Sequence, residues 1–145
     1  MNNQRKAKRV SKRDKLIDCL IGTGFPFRVS AEIDAYTAMF KDLTTKTAGI
    51  RRPGAAALDL ANVAAGRLDG FWEIGLSPWD MAAGALLISE AGGLVGDLEG
   101  ESNYMESGCI MAGNPKIFAQ LLQAIQPHLT AKMRNGKRPA VDTAQ

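Results

Sequence analysis

The chain has 145 residues, 46% of them hydrophobic, which suffices for one compact domain with its own core. No apolar run approaches the roughly 18 residues of a membrane helix, and the charged residues 1–6 do not resemble a signal peptide. We therefore predict a cytoplasmic protein with no membrane association. The single histidine, His128, excludes a histidine triad or a zinc site with several histidines, so any catalysis must rely on carboxylates and metal.

The net charge of +3 is concentrated at the two ends of the chain. Residues 1–15 contain one acid, Asp14, and the cations Arg5, Lys6, Lys8, Arg9, Lys12, Arg13 and Lys15. Such a run could bind nucleic acid, but no aromatic residues are interleaved to stack on bases. We predict a solvated basic arm at residues 1–15, a domain at 16–127 and a mobile tail at 128–145.

The first half of the domain alternates apolar runs with helical patterns. Residues 16–21 form an apolar run that Gly22 ends, which is typical of a buried strand. A three- and four-residue apolar period from Ile33 to Leu43 predicts a helix capped by Ser30, and residues 47–51 form a second possible strand. Residues 54–66 are apolar around most of a helical circumference, so this helix is expected to lie buried between two layers.

The second half repeats the alternation. Strands are predicted at residues 71–76, 94–95 and 108–112, with a helix at 80–91 that Gly92 ends. Asn114 is placed to cap a last helix whose first position is Pro115. This order predicts an α/β domain, a layered sheet with flanking helices, in which Cys19 and Cys109 are buried strand thiols.

Two carboxylates stand where chemistry is possible. Asp80 begins a predicted helix after a proline turn, where a metal ligand would be held firmly, although an ordinary N-cap aspartate fits the same position. Glu73 lies in an otherwise apolar strand. It could be a site residue, or it could simply be on the solvent face of a strand whose side chains alternate between core and solvent. The backbone of Gly54, Ala55 and Ala56 could approach a hydroxyl or phosphate closely, or could simply pack closely.

Together these segments resemble one family. Residues 79–93, Trp-Asp-Met-Ala-Ala-Gly-Ala-Leu-Leu-Ile-Ser-Glu-Ala-Gly-Gly, are similar to the second signature of the inositol monophosphatases. Residues 54–60, the Ala-Ala-Gly at 64–66, Asp69-Gly70 and the Gly-Thr-Gly-Phe-Pro-Phe at 22–27 resemble earlier segments of that family. The resemblance extends from about residue 2 to residue 125.

The resemblance implies the carboxy-terminal domain of the inositol monophosphatase and sugar phosphatase fold. In that family Mg²⁺ ions bind the substrate phosphate and activate the attacking water. Asp80 would be a metal ligand beside the substrate ring, and Glu73 with the backbone of Gly54, Ala55 and Ala56 would bind substrate hydroxyls. The enzyme would hydrolyse inositol monophosphate or another small sugar or polyol phosphate, and the intact enzyme is expected to be a homo-oligomer.

The family's first signature, which supplies two metal carboxylates, and an upstream glutamate have no counterpart in these residues. The sequence therefore resembles a fragment in which the water-activating catalytic residues are unknown, and one aspartate cannot assemble a Mg²⁺ site. Activity of the chain alone is not expected. The alternatives are a non-catalytic truncated module that binds nucleic acid or a protein partner through the basic arm, and a remnant without function.

Overall fold

The computed structural model describes residues 8–24, 32–52 and 54–134. Five strands form one sheet in the order β2-β1-β3-β5-β4. Strands β2, β1 and β3 run parallel, whereas β5 is antiparallel to both β3 and β4. Their bounds are β1 Leu20–Thr23, β2 Gly49–Arg51, β3 Gly70–Glu73, β4 Leu94–Gly96 and β5 Ile110–Gly113.

Helices lie between and after the strands. They are α1 Ile33–Lys46, α2 Ala56–Ala64, α3 Pro78–Glu90, α4 Tyr104–Ser107, α5 Pro115–Ile125 and α6 Ala131–Arg134, with 3-10 turns at Leu16–Asp18 and Gln126–His128. The predicted cap of α5 is confirmed, because the Ile117 amide donates to Asn114 Oδ1 at 2.9 Å. Ser30, the predicted cap of α1, lies outside the described residues.

The sheet separates two apolar layers. Successive strand residues point to opposite faces, so Trp72 packs with α1 and α5 while its neighbour Phe71 packs with α2 and α3. Both side chains are fully buried. The layered α/β architecture predicted from the alternation of elements is therefore confirmed.

The first predicted strand is displaced. Residues 16–18 form a 3-10 turn, and β1 begins only at Leu20, whose amide donates to Asp69 Oδ2 at 2.7 Å. Before this point the Leu16 amide donates to Gln120 Oε1 at 2.8 Å. The backbone at Leu16 therefore bonds to a side chain of α5 and not to a neighbouring strand. Cys19 and Cys109 are both buried, but each precedes its strand instead of lying within it.

Helix α2 is covered on one face only. Leu60 and Val63 are buried against the sheet and α3, whereas Leu58 on the opposite face is 59% exposed. The prediction that this helix lies between two layers is thus wrong for the described residues, because only one of the layers is present.

The two predicted ends make more contacts than solvated segments would. The Val10 amide donates to the Ala91 carbonyl at 3.1 Å, and Asn114 Nδ2 donates to the carbonyls of Ser11 and Arg13 at 2.9 and 2.8 Å. Residues 8–15 therefore form a strap across the domain, although residues 1–7 lie outside the described part.

At the other end, residues 128–134 pack against the domain instead of forming the mobile tail that was expected there. His128 Nε2 lies 2.9 Å from Asp42 Oδ2, and Met133 is buried in the layer that contains α1 and α5. The apolar burial of Met133 and these polar contacts hold the segment against the domain. Residues 135–145 lie outside the described residues, and the division into arm, domain and tail stays a prediction.

Within the described ranges, no helix is both long and apolar enough to cross a membrane.

Candidate functional site

A cleft of about 390 Å³ lies at the carboxyl ends of β1 and β3, where α2 and α3 begin. All five residues that the sequence singled out line this one cleft, together with neighbours from the adjoining segments. The lining consists of Gly24, Arg52, Gly54, Ala55, Ala56, Ala57, Glu73, Leu76 and Asp80. Pockets at helix starts beside strand ends are common ligand sites in α/β proteins.

Asp80 is fixed by the first turn of α3. Its Oδ2 accepts a 2.6 Å hydrogen bond from the Ser77 hydroxyl and a 3.2 Å bond from the Ser77 amide. Ser77 is thus the N-cap and Asp80 the third helical residue, a correction of the simple N-cap interpretation of Asp80. Both of these bonds are to Oδ2, and the half-buried side chain lines the cleft, so Oδ1 is available to a ligand there.

Glu73 ends β3 and enters the cleft rather than facing open solvent. Its carboxylate packs directly over Gly24, where an added Cβ would overlap the carboxylate atoms. Any side chain at position 24 would therefore push Glu73 away. Burial, with the negative charges of Asp59 and Asp80, raises the pKa of Glu73 from 4.5 to about 7.

Asp59 is the acid behind the cleft. It lies on the inner face of α2, is only 1% exposed, and its Oδ1 has no hydrogen-bond partner among the residues that the structure describes. Burial raises its pKa from 3.8 to about 6. Asp59 and Glu73 thus gain little from their surroundings, and both would gain from a ligand that donates hydrogen bonds or carries positive charge.

The start of α2 offers backbone amides to the same cleft. Ala55 is the N-cap residue and has no side chain that could accept from the first amides of the helix. Gly54 adopts φ +94, which favours glycine, and nothing lies within 4 Å of where its Cβ would be. The entrance is therefore open at Gly54, and no side chain at Ala55 caps the first amides of α2.

We expect Ala55→Ser to stabilise the protein by about 1 kcal/mol, because a serine at this position would accept from an amide of the first turn. The free energy of unfolding in urea measures the change. Ala57→Ser adds the same hydroxyl two positions later, inside the helix and exposed, and should change stability little. Equal effects of the two serines would show that the first turn of α2 is not short of a cap.

The described residues offer Mg²⁺ one well-placed ligand. The free oxygen of Asp80 suits a hard cation, but a two-metal phosphate site needs more fixed carboxylates than this. Within residues 8–24, 32–52 and 54–134, no group of three or more His, Cys, Asp or Glu side chains is arranged to hold a metal ion. Asp80 thus fits as a single contributor to a larger site.

Three residues of this region were not predicted from the sequence. Arg52 and Leu76 line the cleft, but neither residue type in its sequence context indicates a binding site. Asp59 lies three residues after Ala56, and this spacing puts it on the inner face of α2.

The chain is similar in sequence to several known proteins. A model of the inositol monophosphatase family matches residues 1–130. The Nus factor SuhB of Pseudomonas aeruginosa is 59% identical over 128 residues, 87% of this chain and 47% of the relative. The inositol-1-monophosphatase of Mesorhizobium japonicum is 46% identical over 132 residues, 91% of this chain and 49% of the relative.

Solved structures of similar proteins have the same fold. The extragenic suppressor protein suhB of Bartonella henselae superposes with a TM-score of 0.81 at 46% identity, covering 88% of this chain and 48% of that chain. Inositol monophosphatase from Anabaena gives a TM-score of 0.75 at 40% identity, with 86% and 49% coverage. The chain spans about half the length of these relatives. It belongs to the inositol monophosphatase family.

Proposed function

We propose that the chain is part of a Mg²⁺-dependent phosphomonoesterase that hydrolyses inositol monophosphate, or a related small sugar or polyol phosphate, with water. The observation that carries this proposal is that one cleft is lined by all five predicted residues, Gly54, Ala55, Ala56, Glu73 and Asp80. Family membership supports a phosphatase, while the metal, the substrate and a cytoplasmic location belong to the proposal.

Each residue has a role that its chemistry suits. The carboxylate of Asp80, held by Ser77, would bind one Mg²⁺ through its free oxygen and accept a hydrogen bond from a substrate hydroxyl. Glu73 would exchange a hydrogen bond with a second hydroxyl. The amides at Gly54, Ala55 and Ala56 would donate to the polyol. When bound, Mg²⁺ would supply charge neutralisation of the phosphate and a more acidic water.

The remaining ligands would come from an amino-terminal half like that of the relatives, so the chain alone is proposed to be inactive. The test joins this chain in one polypeptide to the amino-terminal half of the Pseudomonas relative and measures phosphate release with and without Mg²⁺. Inositol 1-phosphate should be turned over at least as well as fructose bisphosphate, histidinol phosphate or adenosine bisphosphate. Failure to release phosphate from any of them, by a protein that is folded and binds Mg²⁺, would reject the proposal.

A second candidate is a role as a Nus factor, the name carried by several relatives, including the one from Pseudomonas aeruginosa. The observation that favours it is the strap at residues 8–15, which presents Lys8, Arg9, Lys12 and Lys15 as exposed cations. These could contact nucleic acid or an acidic protein partner. A salt titration of RNA binding distinguishes this role, because phosphate contacts give a steep loss of affinity with added salt.

A further inference from the structure

The carboxyl ends of β1 and β3 are joined by two buried hydroxyl groups. Thr23, the last residue of β1, lies opposite Trp72 in the parallel ladder, and its Oγ1 donates to the Trp72 carbonyl at 2.9 Å. The hydroxyl of Tyr36, on α1, lies 3.2 Å from the same Oγ1. All three side chains are at most 1% exposed, so these hydrogen bonds form away from solvent.

The chemistry of the groups fixes the direction of both hydrogen bonds. A hydroxyl has one hydrogen and a carbonyl can only accept, so Thr23 donates to Trp72 and Tyr36 donates to Thr23. Burial raises the pKa of Tyr36, so its hydroxyl keeps the proton that it donates. The Tyr36 ring also stacks on Trp72, with ring centroids 5.8 Å apart. Helix α1 therefore holds the end of β3 through a ring and through a chain of two hydroxyls.

The two segments that Thr23 ties together are those that form the contact between Glu73 and Gly24. The Trp72 carbonyl belongs to the peptide unit that leads into Glu73, and Gly24 directly follows Thr23. The Glu73 carboxylate packs over Gly24 so closely that an added Cβ would overlap it. The separation of these two backbone segments thus decides whether the carboxylate can occupy this place in the cleft.

Strand pairing alone does not require the two hydroxyls. The ladder already joins β1 to β3 from Ile21 to Thr23, and valine suits a buried strand position as well as threonine does. Buried hydroxyls cost free energy unless they are hydrogen-bonded, and such linked groups stabilise one particular geometry. Their place beside the apolar layer of Trp72 therefore indicates a demand on the geometry of these strand ends.

We propose that the buried hydroxyls of Tyr36 and Thr23 are positioning groups that hold the Glu73 carboxylate over Gly24 and thereby set the selectivity of the cleft for a polyol hydroxyl. The selectivity rests on the proposed function, whereas the placement of Glu73 does not. A carboxylate displaced from Gly24 loses its hydrogen bond to the polyol, while the contacts to the phosphate remain. The two hydroxyls therefore act on substrate binding through Glu73 and not on the reacting phosphate.

The placement of Glu73 is tested on the 145-residue chain by a carbon NMR titration of labelled glutamate side chains. The signal of Glu73 is the one that is missing from Glu73→Gln. Thr23→Val should lower the pKa of Glu73 from about 7 toward 4.5, because a carboxylate released from Gly24 is better hydrated. Tyr36→Phe keeps the stacked ring and should shift this pKa in the same direction.

Thr47→Val is the matched control. The Thr47 hydroxyl is also buried and also donates to a backbone carbonyl, that of Leu43 at 2.8 Å, but it lies before the amino end of β2, away from the cleft. This variant should leave the pKa of Glu73 at about 7.

The surrounding charges are the same in Thr23→Val and in Thr47→Val. Among the described residues, the charged and titratable groups around Glu73 include Arg52, Tyr36, Asp59 and Asp80, and both threonine variants retain them. A difference between these two variants therefore reports on the placement of Glu73.

The selectivity is tested on the joined polypeptide. Thr23→Val and Tyr36→Phe should raise KM for inositol 1-phosphate about fivefold, the equivalent of one hydrogen bond, and change kcat less. The KM for p-nitrophenyl phosphate, which has no neighbouring hydroxyls, should stay unchanged.

Two results overturn the proposal. One is a pKa of Glu73 that is unchanged in Thr23→Val and Tyr36→Phe, or that shifts equally in Thr47→Val. The other is an equal rise in KM for both substrates. Should Thr23→Val not fold, Tyr36→Phe decides. A joined polypeptide without any activity would reject the proposed function, and the titration of Glu73 would still decide the placement.

Discussion

Asp80→Asn is expected to abolish most Mg²⁺-dependent phosphate release when this chain is joined to the amino-terminal half of a relative. The substitution keeps an oxygen that can accept from Ser77, so the start of α3 should remain formed. It removes the negative charge that would hold the cation, and losses on the order of a hundredfold or more follow when a preorganised electrostatic contact is lost. The rate is measured over a series of Mg²⁺ concentrations.

Two comparisons make the result specific. Ser77→Ala removes the hydroxyl that orients Asp80 but keeps its charge, so a smaller loss of activity is expected. A hundredfold excess of Mg²⁺ should recover part of the rate in Asp80→Asn, because a weakened site can still be filled by mass action. A variant with wild-type rate and wild-type Mg²⁺ dependence would show that Asp80 is not a metal ligand.

Glu73→Gln should stabilise the isolated chain at pH 8 by about 3 kcal/mol and leave it unchanged at pH 4. The pKa of Glu73 is about 7 when folded, against 4.5 as its ordinary value. Between these values the unfolded chain releases its proton while the folded chain retains it, so wild-type stability falls as pH rises from about 4.5 to 7 and then levels. Glutamine does not ionise, so the variant does not lose this stability as the pH rises.

Urea unfolding at pH 4, 6 and 8 measures the difference. Glu106→Gln, at an exposed position on α4, provides the control and should follow the wild-type curve at every pH. A destabilised Glu73→Gln at pH 8 would mean that the carboxylate is held by favourable contacts rather than strained by burial. In the joined polypeptide the same change should raise KM more than it lowers kcat, as expected for a group that binds a hydroxyl.

Opposite effects of one substitution on stability and on substrate binding are typical of a functional site. Asp59 and Glu73 both lie where burial disfavours their charge, and neither gains an ion pair within the described residues. A purely structural position would be better served by an amide or an apolar side chain. Proteins retain such groups where a ligand repays the loss of stability.

Local patterns in the sequence identified residues that the structure brings together in one cleft. The proline turn before Asp80 and the Gly-Ala-Ala start of α2 are local signals, and the sheet places them at one cleft. Helix α5 likewise begins where Asn114 and Pro115 indicated. These features depend on contacts within a few residues, which periodicity and capping rules describe well.

Features that depend on distant contacts escaped prediction. The strap at residues 8–15 is held by Asn114 and by Gln120, whose Nε2 donates to the Asp14 carbonyl at 2.8 Å across more than one hundred residues of sequence. Met133 is buried only because α1 and α5 offer a surface for it. The strand order β2-β1-β3-β5-β4 is equally a property of the whole fold. No short-range pattern encodes such pairings.

The most direct test of the account is a titration. Increasing amounts of the amino-terminal half of the Pseudomonas relative are added to a fixed amount of this chain, and phosphate release from inositol 1-phosphate is measured in the presence of Mg²⁺. The chain alone should release none above background, and activity should rise until the two polypeptides are equimolar, with wild-type chain but not with Asp80→Asn. Turnover by the 145-residue chain alone, or equal recovery with Asp80→Asn, would contradict the claim that this chain contributes one part of a shared phosphatase site.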